Sequence, residues 1–267
     1  MRILKPYLST LRLRALLELQ YRGAAIGGLF CQGFFGLIYV FLYTALYQSG
    51  GEQSTTLSQT ITYVWLQQAF FRLICGSDGA LTSDIMSGNV VYSLCRPVDL
   101  YSYWFARDVA YRVIGSVMRA TPMLILALVL PAPIGLSLPS SPAALAAFLC
   151  SLLLGMLVQT AIFSLMFAGT LITLDNRGIT NVLSMFNLFA VGNVLPLTLF
   201  PDSWQRFIIS SPFAQSLDVP IRYYTGQLMV SDLPGTIAMQ LIWLIVLVAA
   251  GWSLWRYALN RMVIQGG

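Results

Sequence analysis

The sequence predicts an all-α integral membrane protein with six transmembrane helices, an N-terminal amphipathic interfacial helix and both termini in the cytoplasm. Hydrophobic residues make up 57% of the 267 residues and charged residues only 9%, whereas soluble domains carry about 25% charged residues. The apolar residues form runs of the length that a bilayer requires, which is about 20 residues per helix. The basic residues gather at the ends of alternate runs. These observations predict one membrane domain over residues 1–267.

Near the N-terminus, apolar residues recur at helical spacing among charged ones, which predicts an interfacial elbow helix at residues 1–23. The residues that form this stripe are Leu4, Leu8, Leu11, Ala15 and Leu19. Apolar runs then predict six spans, which cover residues 24–47, 58–75, 111–130, 143–171, 180–200 and 237–257. The second and third spans are separated by a long loop at residues 76–110. Its aromatic end, from Tyr101 to Phe105, is predicted as an interfacial helix anchored in the lipid headgroups.

The distribution of basic residues predicts the orientation. With the N-terminus inside, 13 of the 15 lysines and arginines lie at or near the cytoplasmic side, and only Arg206 and Arg222 lie outside. The positive-inside rule therefore places both termini in the cytoplasm, and we predict a bacterial plasma membrane as the location. The net charge of +5 is explained by this topology, so we predict no nucleic-acid partner.

Residue types that carry chemistry are scarce. The chain has no histidine, and Cys31, Cys75, Cys95 and Cys150 show no metal-binding spacing, so we predict neither a metal site nor a disulfide. The only lysine is Lys5, and no phosphate-binding Gly-x-x-x-x-Gly-Lys motif is present. None of the ten carboxylates falls in the middle of a predicted span, which disfavours proton-coupled transport. Without a base, nucleophile or ligand set, an enzyme is disfavoured too.

A polar segment at residues 84–99 lies between these apolar spans. Thr82 or Ser83 is predicted to cap a short helix that Gly88 ends, because glycine readily adopts the left-handed conformation at a helix end. Pro97 then turns the chain. A protein that only resides in lipid needs no more than a short turn here, so the segment predicts a docking site for a cytoplasmic partner. The alternative is a purely structural interfacial element.

The same segment resembles the Asp-Ile-Arg-Ser-Gly…Leu-Leu-Arg-Pro-x-Asp-Leu-Tyr…Trp…Ala-Arg pattern of type-2 ABC exporter permeases, closest to their six-span, viologen- or multidrug-exporter-like branch. The matching residues are Asp84, Ile85, Ser87, Gly88, Leu94, Arg96, Pro97, Asp99, Leu100, Tyr101, Trp104, Ala106 and Arg107. Residues 195–202, 211–214 and 224–226 are similar to the outer loop of these permeases. Met86 replaces the usual arginine and Cys95 a usual leucine, so contacts with the motor are expected to be less ionic.

The resemblance implies a half-transporter that hydrolyses no ATP itself. Two permeases, identical or related, pair in the membrane, and two P-loop ATPase subunits with ATP and Mg bind beneath them. The residues implied to couple the two parts are Asp84, Ile85, Ser87, Gly88, Leu94, Arg96, Pro97 and Asp99. Closure of the ATPase pair pushes this segment and tilts the spans between inward- and outward-facing states. An ATP-independent carrier or channel and a non-transporting scaffold are the alternative functions.

A substrate pathway is predicted from aromatic and amide side chains within the spans. Phe35, Tyr39 and Tyr43 form a stripe along the first span, and Asn187 and Asn193 are uncharged polar groups of the fifth span. An aromatic surface poor in carboxylates suits an apolar or cationic amphiphile, for which cation–π contacts are available. Ordinary helix packing is the alternative for these residues.

Overall fold

The computed structural model describes residues 9–10, 12–13, 16–17, 20, 22–50, 55–76, 78–95, 99–173, 175, 177–197 and 200–261, and the strand-free fold of these residues is helical. The described residues between 9 and 20 are helical. The five apolar residues of the predicted elbow stripe lie outside the described residues.

Twelve α-helices follow from residue 22 onward among the described ranges. They are α1 (Arg22–Gln48), α2 (Leu57–Ala69), α3 (Phe71–Ile74), α4 (Gly79–Met86), α5 (Val90–Leu94), α6 (Leu100–Val129), α7 (Pro142–Thr173), α8 (Arg177–Ala190), α9 (Asp202–Ile209), α10 (Pro212–Ser216), α11 (Asp218–Tyr224) and α12 (Leu233–Arg261). A 3₁₀ turn at Val230–Asp232 precedes α12.

Four of the described helices are long and apolar enough to cross a membrane, namely Ile26–Gln48, Leu100–Val129, Pro142–Thr173 and Val230–Asn260. They correspond to the predicted first, third, fourth and sixth spans. The predicted second span consists of α2 and α3, which are separated by a turn at Phe70. The predicted fifth span, 180–200, contains only the 14-residue helix α8, which ends at Ala190. Six spans and their orientation therefore stay a prediction.

The helices run between two ends of the bundle. We call the end that carries residues 78–95 proximal, and the end that carries residues 49–50, 55–56 and 131–141 distal. Hydrogen bonds tie the distal end together: Ser58 Oγ lies 2.7 Å from Ser137 Oγ, and the Tyr224 hydroxyl donates to the Ser137 carbonyl at 3.2 Å. Consecutive connections therefore alternate between the two ends.

The helix of the predicted third span, α6, begins at Leu100, eleven residues before the predicted start of the span at 111. Asp99 caps α6, because its carboxylate accepts hydrogen bonds from the Ser102 backbone N–H at 2.8 Å and from the Ser102 hydroxyl at 2.7 Å. The predicted headgroup anchors are wrong as well. Tyr101, Tyr103 and Trp104 are buried in the protein, and the Trp104 ring lies 5.0 Å from the ring of Trp255 on α12. These aromatic side chains pack against other helices of the protein rather than among lipid headgroups.

Helices α9 to α11 form a hairpin that re-enters the bundle from the distal side. At its tip, the carbonyl of Ser216 lies against Gly155, where any side chain would collide with it. Gly155 lies 13 residues into α7, which is about 20 Å from the distal end of that helix. Gln240 of α12 holds the same tip, since its amide donates to the Gln215 carbonyl at 2.8 Å. The predicted outer loop is therefore largely part of the helical core.

Gly192 ends the fifth predicted span early. Its φ of +77° belongs to the left-handed region, and a Cβ at this position would lie 2.5 Å from the Tyr63 hydroxyl. Glycine therefore permits both the turn after α8 and the close approach of α2.

We predict that Gly192→Ala lowers the free energy of unfolding by about 1–3 kcal/mol, because alanine is strained at positive φ and displaces Tyr63. Thermal unfolding of the detergent-purified protein measures this. The control is Gly235→Ala in α12, where no atom lies within 4 Å of the added Cβ. Equal midpoints for the two variants would contradict the assigned role of Gly192.

Candidate functional site

Residues 79–94 of the predicted loop, which we call the coupling segment, form the two short helices α4 and α5, which meet at Gly88. Asp78 caps α4 through a hydrogen bond that its side chain accepts from the Ala80 N–H at 3.1 Å, so the predicted caps Thr82 and Ser83 are wrong. The reason is that the helix begins four residues earlier than the polar pattern indicated. Gly88, at φ +75°, ends the turn after α4 as predicted. The segment is therefore a pair of helices with a glycine corner.

The two faces of this segment have opposite character. Leu81, Ile85 and Val90 are buried, at 2% exposure or less, in a core that they share with α6, α7 and α12. The other face is open: Met86 is 49% exposed and Tyr92 is 75% exposed. Between them the corner residues Ser87, Gly88 and Asn89 are exposed. One face thus anchors the segment to the bundle, and the other is available to a partner.

Arg107 of α6 holds the segment by charge. Its Nε lies 3.2 Å from Asp78 Oδ2, and its Nη1 lies 3.0 Å from Asp84 Oδ2. Asp78 is fully buried, and the Arg107 side chain is 17% exposed. A charge pair that is largely shielded from water in this way is strongly sensitive to the loss of one partner. Asp84, predicted as a coupling residue, therefore joins α4 to α6.

A second arginine of α6 organises the proximal end. Arg112 is fully buried, with its Nε 2.8 Å from Asp108 Oδ2 and its guanidinium carbon 4.0 Å from the centre of the Phe163 ring on α7. It also donates to the backbone carbonyls of Leu73 at 2.6 Å and Gly76 at 3.4 Å. Carbonyls at the end of a helix lack partners within the helix. Arg112 therefore provides hydrogen-bond donors to the carbonyls at the end of α3, and it links this end to α6 and α7.

The remaining predicted coupling residues have different positions. Arg96 and Pro97 lie outside the described residues, and Leu94 contributes its backbone to the end of α5. Ser87 donates its hydroxyl hydrogen bond to the Ser83 carbonyl at 2.7 Å. Asp99 is the cap of α6, so it fixes where the long helix begins.

Three of the five predicted pathway residues meet in one small cavity. Tyr39 and Tyr43 of α1, stacked with ring centres 6.4 Å apart, line it together with Tyr63 and Gln67 of α2 and with Asn193. It offers about 10 Å³ to the centre of a water-sized sphere, which is room for about one water molecule. The described lining residues are aromatic, amide-bearing or apolar, and none of them is charged.

The other two predicted pathway residues lie elsewhere. Phe35 is 48% exposed on the outside of α1. Asn187 is fully buried and donates to the Ile74 carbonyl at 2.6 Å, so it ties α8 to the end of α3. Its contact is of the same kind as that of Arg112.

Sequence reasoning missed a buried ion pair beside the cavity. Asp218 of α11 is fully buried and lies 2.7 Å from Arg222 Nε, while the Tyr63 hydroxyl donates to Asp218 Oδ1 at 2.6 Å. The prediction placed both residues in the outer loop between the fifth and sixth spans. The spacing of Asp218 and Arg222, four residues apart, was the available signal, because it allows an ion pair within one helix.

A larger apolar groove of about 670 Å³ lies between α7 and α8 toward their proximal ends. Leu165, Met166, Val182, Leu183 and Phe186 line most of it. The apolar side chains of this groove can pack against a hydrocarbon chain or another helix.

The fold defines a multi-pass helical membrane protein, and the comparison with protein families gives its class. A sequence model described as ABC-2 family transporter protein matches residues 34–266, and the chain belongs to this family. It is thus the membrane component of an ABC transporter and acts with an ABC ATPase. No curated protein and no solved structure gave a significant match.

We predict that Arg107→Met frees the coupling segment from α6. Removing one partner of a largely buried ion pair costs about 3 kcal/mol, so amide hydrogen exchange in Gly79–Met86 should accelerate. Exchange mass spectrometry of the purified protein measures it. Arg256→Met is the control, because Arg256 is exposed and contacts Trp252. Unchanged exchange in α4 would show that Arg107 does not hold the segment.

We predict different reactivity for two thiols near the proximal end. Cys95 is exposed, whereas Cys75, just beyond the end of α3, is only partly exposed. A maleimide must reach the thiolate, so a shielded thiol reacts more slowly. In single-cysteine variants, Cys95 should react at least about tenfold faster than Cys75 at pH 7. Mass spectrometry of timed labelling checks this, and equal rates would contradict the shielding of Cys75.

Proposed function

We propose that this protein is the permease subunit of an ATP-driven exporter in a bacterial plasma membrane. The observation that carries the proposal is the two-sided coupling segment: α4 and α5 are packed into the bundle on one face and exposed on the other. The proximal end is the cytoplasmic one, because most of the basic residues in the described ranges lie toward it. ATP and Mg are bound by the partner ATPase, and this chain supplies the path and the docking surface.

The docking surface consists of the exposed corner Ser87–Asn89 with Met86 and Tyr92 on either side. Tyr92 presents a large, exposed aromatic side chain, which is typical of residues that dominate the energy of an interface. Met86 adapts well to irregular apolar surfaces. The two side chains suit an apolar recess on the ATPase, in agreement with the absence of arginine at position 86.

Motion of the docked segment reaches the spans through the buried charges. Arg107 transfers a displacement of α4 to α6, since it pairs with Asp78 and Asp84. Arg112 then links α6 to the end of α3 and to α7. Rigid-body tilting of these helices is the expected response, because packed interfaces shift as units.

A second permease covers part of the exposed apolar surface. Along α1, Phe30 is 75% exposed and Phe34 is 64% exposed, and along α8, Val182 is 73% and Met185 is 71% exposed. Lipid covers the rest. The partner is a second copy or a related permease, as the half-transporter organisation requires.

The substrate is a small amphiphilic or lipid-like molecule. The cavity of Tyr39, Tyr43 and Asn193 offers aromatic faces and amide groups without charge, which suits a molecule that is mostly apolar with a few polar atoms. In this conformation the cavity has room for about one water molecule, so the helices that line it must separate before a substrate enters.

Purification from the native membrane in mild detergent tests the assignment. A stoichiometric P-loop ATPase identified by mass spectrometry supports the exporter. A chain that purifies alone in several detergents, and transports without nucleotide, favours an ATP-independent carrier or channel instead. A chain with ATPase but no substrate-stimulated hydrolysis favours a scaffold.

We predict that Tyr92→Ala weakens retention of the ATPase by at least about tenfold, because loss of an aromatic anchor costs roughly 2 kcal/mol or more. The measurement is the ratio of ATPase to permease in the purified complex across a salt series. The control is Tyr257→Ala, a tyrosine of α12 that is also exposed. Equal retention by the two variants would remove Tyr92 from the docking surface.

A further inference from the structure

We infer that the apolar groove between α7 and α8 is the site where a single-chain cationic amphiphile enters the transporter from the cytoplasmic leaflet. The alkyl chain of the amphiphile lies in the groove, and its cationic head group lies beside Asp175. The inference rests on the proposed function, because it names the substrate class and the first binding site of the exporter. The size, the lining and the charge of the groove each support this assignment.

The groove has the size of a ligand site. Its volume of about 670 Å³ is within the range of about 300–1,000 Å³ that is typical of small-molecule sites. On α7 the lining extends from Leu165 to Thr173. On α8 it extends from Gly178 to Phe186. Each stretch advances about 12 Å along its helix, so the two walls have the same length.

An alkyl chain fits this shape better than a helix of another subunit does. A transmembrane helix needs about 30 Å of apolar surface to cross the bilayer, whereas the groove offers about 12 Å. The far end of the groove is formed by Leu165 and Phe186. The Phe186 ring packs edge-on against Phe213 of α10, with the ring centres 5.0 Å apart. A chain that enters from the proximal end therefore ends against aromatic rings.

The proximal mouth of the groove is polar. The Thr173 hydroxyl accepts a hydrogen bond from the Asp175 N–H at 3.3 Å and donates one to the Gly169 carbonyl at 3.0 Å. This turn places Asp175 at the mouth, and Asp175 is the single charged residue among the described residues that line the groove. Gly178 keeps the mouth open, because it has no side chain and an added Cβ would meet Asp175 Oδ2 at 3.9 Å.

The charge at the mouth selects the head group. The cytoplasmic leaflet is rich in anionic lipids, and a carboxylate repels their head groups. The same lipids concentrate a cationic amphiphile in this leaflet, and Asp175 attracts its head group. Because Asp175 is exposed, the gain is limited to several-fold in affinity. The described lining farther in is apolar, so the alkyl chain contributes most of the affinity.

Photolabelling with three probes tests the inference. The probes share a hexadecyl chain with a diazirine at its midpoint and differ in the head group, which is trimethylammonium, hydroxyl or sulfonate. The purified permease–ATPase complex is labelled in phosphatidylcholine nanodiscs over a concentration series, and mass spectrometry locates the adducts. We expect saturable labelling of the groove residues on α7 and α8. The trimethylammonium probe should bind about fivefold more tightly than the hydroxyl probe, and the sulfonate probe should bind most weakly.

Two pairs of variants separate the groove and its charge from general effects. Gly178→Trp places a large side chain in the mouth and should lower the saturable labelling by at least about tenfold. Gly235→Trp in α12 is the matched control, because no atom lies within 4 Å of a Cβ at Gly235. Asp175→Asn should reduce the fivefold head-group preference to about twofold or less. Asp232→Asn, which changes an exposed carboxylate on the distal side, should preserve it.

Three results of the labelling would overturn the inference. Labelling that rises in proportion to the probe concentration, and that is spread over the exposed faces of α1 and α12, reports surrounding lipid. Absence of labelling in the groove is the result expected if a second permease covers it. An unchanged head-group preference in Asp175→Asn, or one that is lost in Arg177→Gln instead, removes the role of Asp175.

Trapping the ATPase with ATP and vanadate separates a substrate site from a bound structural lipid. A substrate site changes its affinity between the states of the transport cycle, so the saturable labelling should change by at least about fivefold. Labelling that is unaffected by trapping marks a structural lipid and overturns the entry role.

The amount of ATPase in each preparation distinguishes this inference from the proposed function. If the ATPase is retained while the groove shows no saturable labelling, the entry site fails and the exporter assignment stands. If the groove is labelled but no ATPase is retained, the exporter assignment fails, and the entry role fails with it.

Discussion

The guanidinium of Arg112 joins three parts of the bundle on which the coupling segment is mounted. It pairs with Asp108, lies on the ring of Phe163 and donates to the carbonyls at the end of α3. A fully buried arginine is tolerated only when its charge and its donors are largely satisfied. The position of α6 relative to α3 and α7 therefore depends on this side chain, and the coupling segment depends in turn on α6 through Arg107.

The distal half of the protein is organised by a second buried charge pair. Asp218 and Arg222 belong to the re-entrant hairpin, and Tyr63 connects them to α2. The two ion pairs are both formed by residues four apart on one helix, yet they act on different partners. At the proximal end the arginine binds backbone carbonyls, whereas at the distal end the carboxylate accepts the hydrogen bond of a tyrosine on α2.

Much of the coupling segment could be predicted from its sequence, because its signals are local. Gly88 ends the turn after α4 because glycine readily adopts the left-handed conformation, which the residue type alone indicates. The cap at Asp78 was missed, since hydropathy placed this residue in a loop. Leu100–Val129 is one continuous helix, whereas the prediction had an interfacial helix from Tyr101 ahead of the third span. The cavity was found only in part: the helical spacing of Tyr39 and Tyr43 was visible, whereas their contact with Asn193 required the turn at Gly192.

The sequence by itself determined that this is a helical membrane protein with a structured polar segment between apolar spans. Composition and the length of apolar runs decide that, because lipid tolerates little charge and no unpaired backbone. Only the tertiary structure decided that residues 202–224 re-enter the bundle, that Tyr101 and Trp104 are buried, and that Asp218 meets Tyr63. These outcomes depend on contacts between residues far apart in the chain, such as the 155 positions that separate Tyr63 from Asp218, which no local pattern specifies.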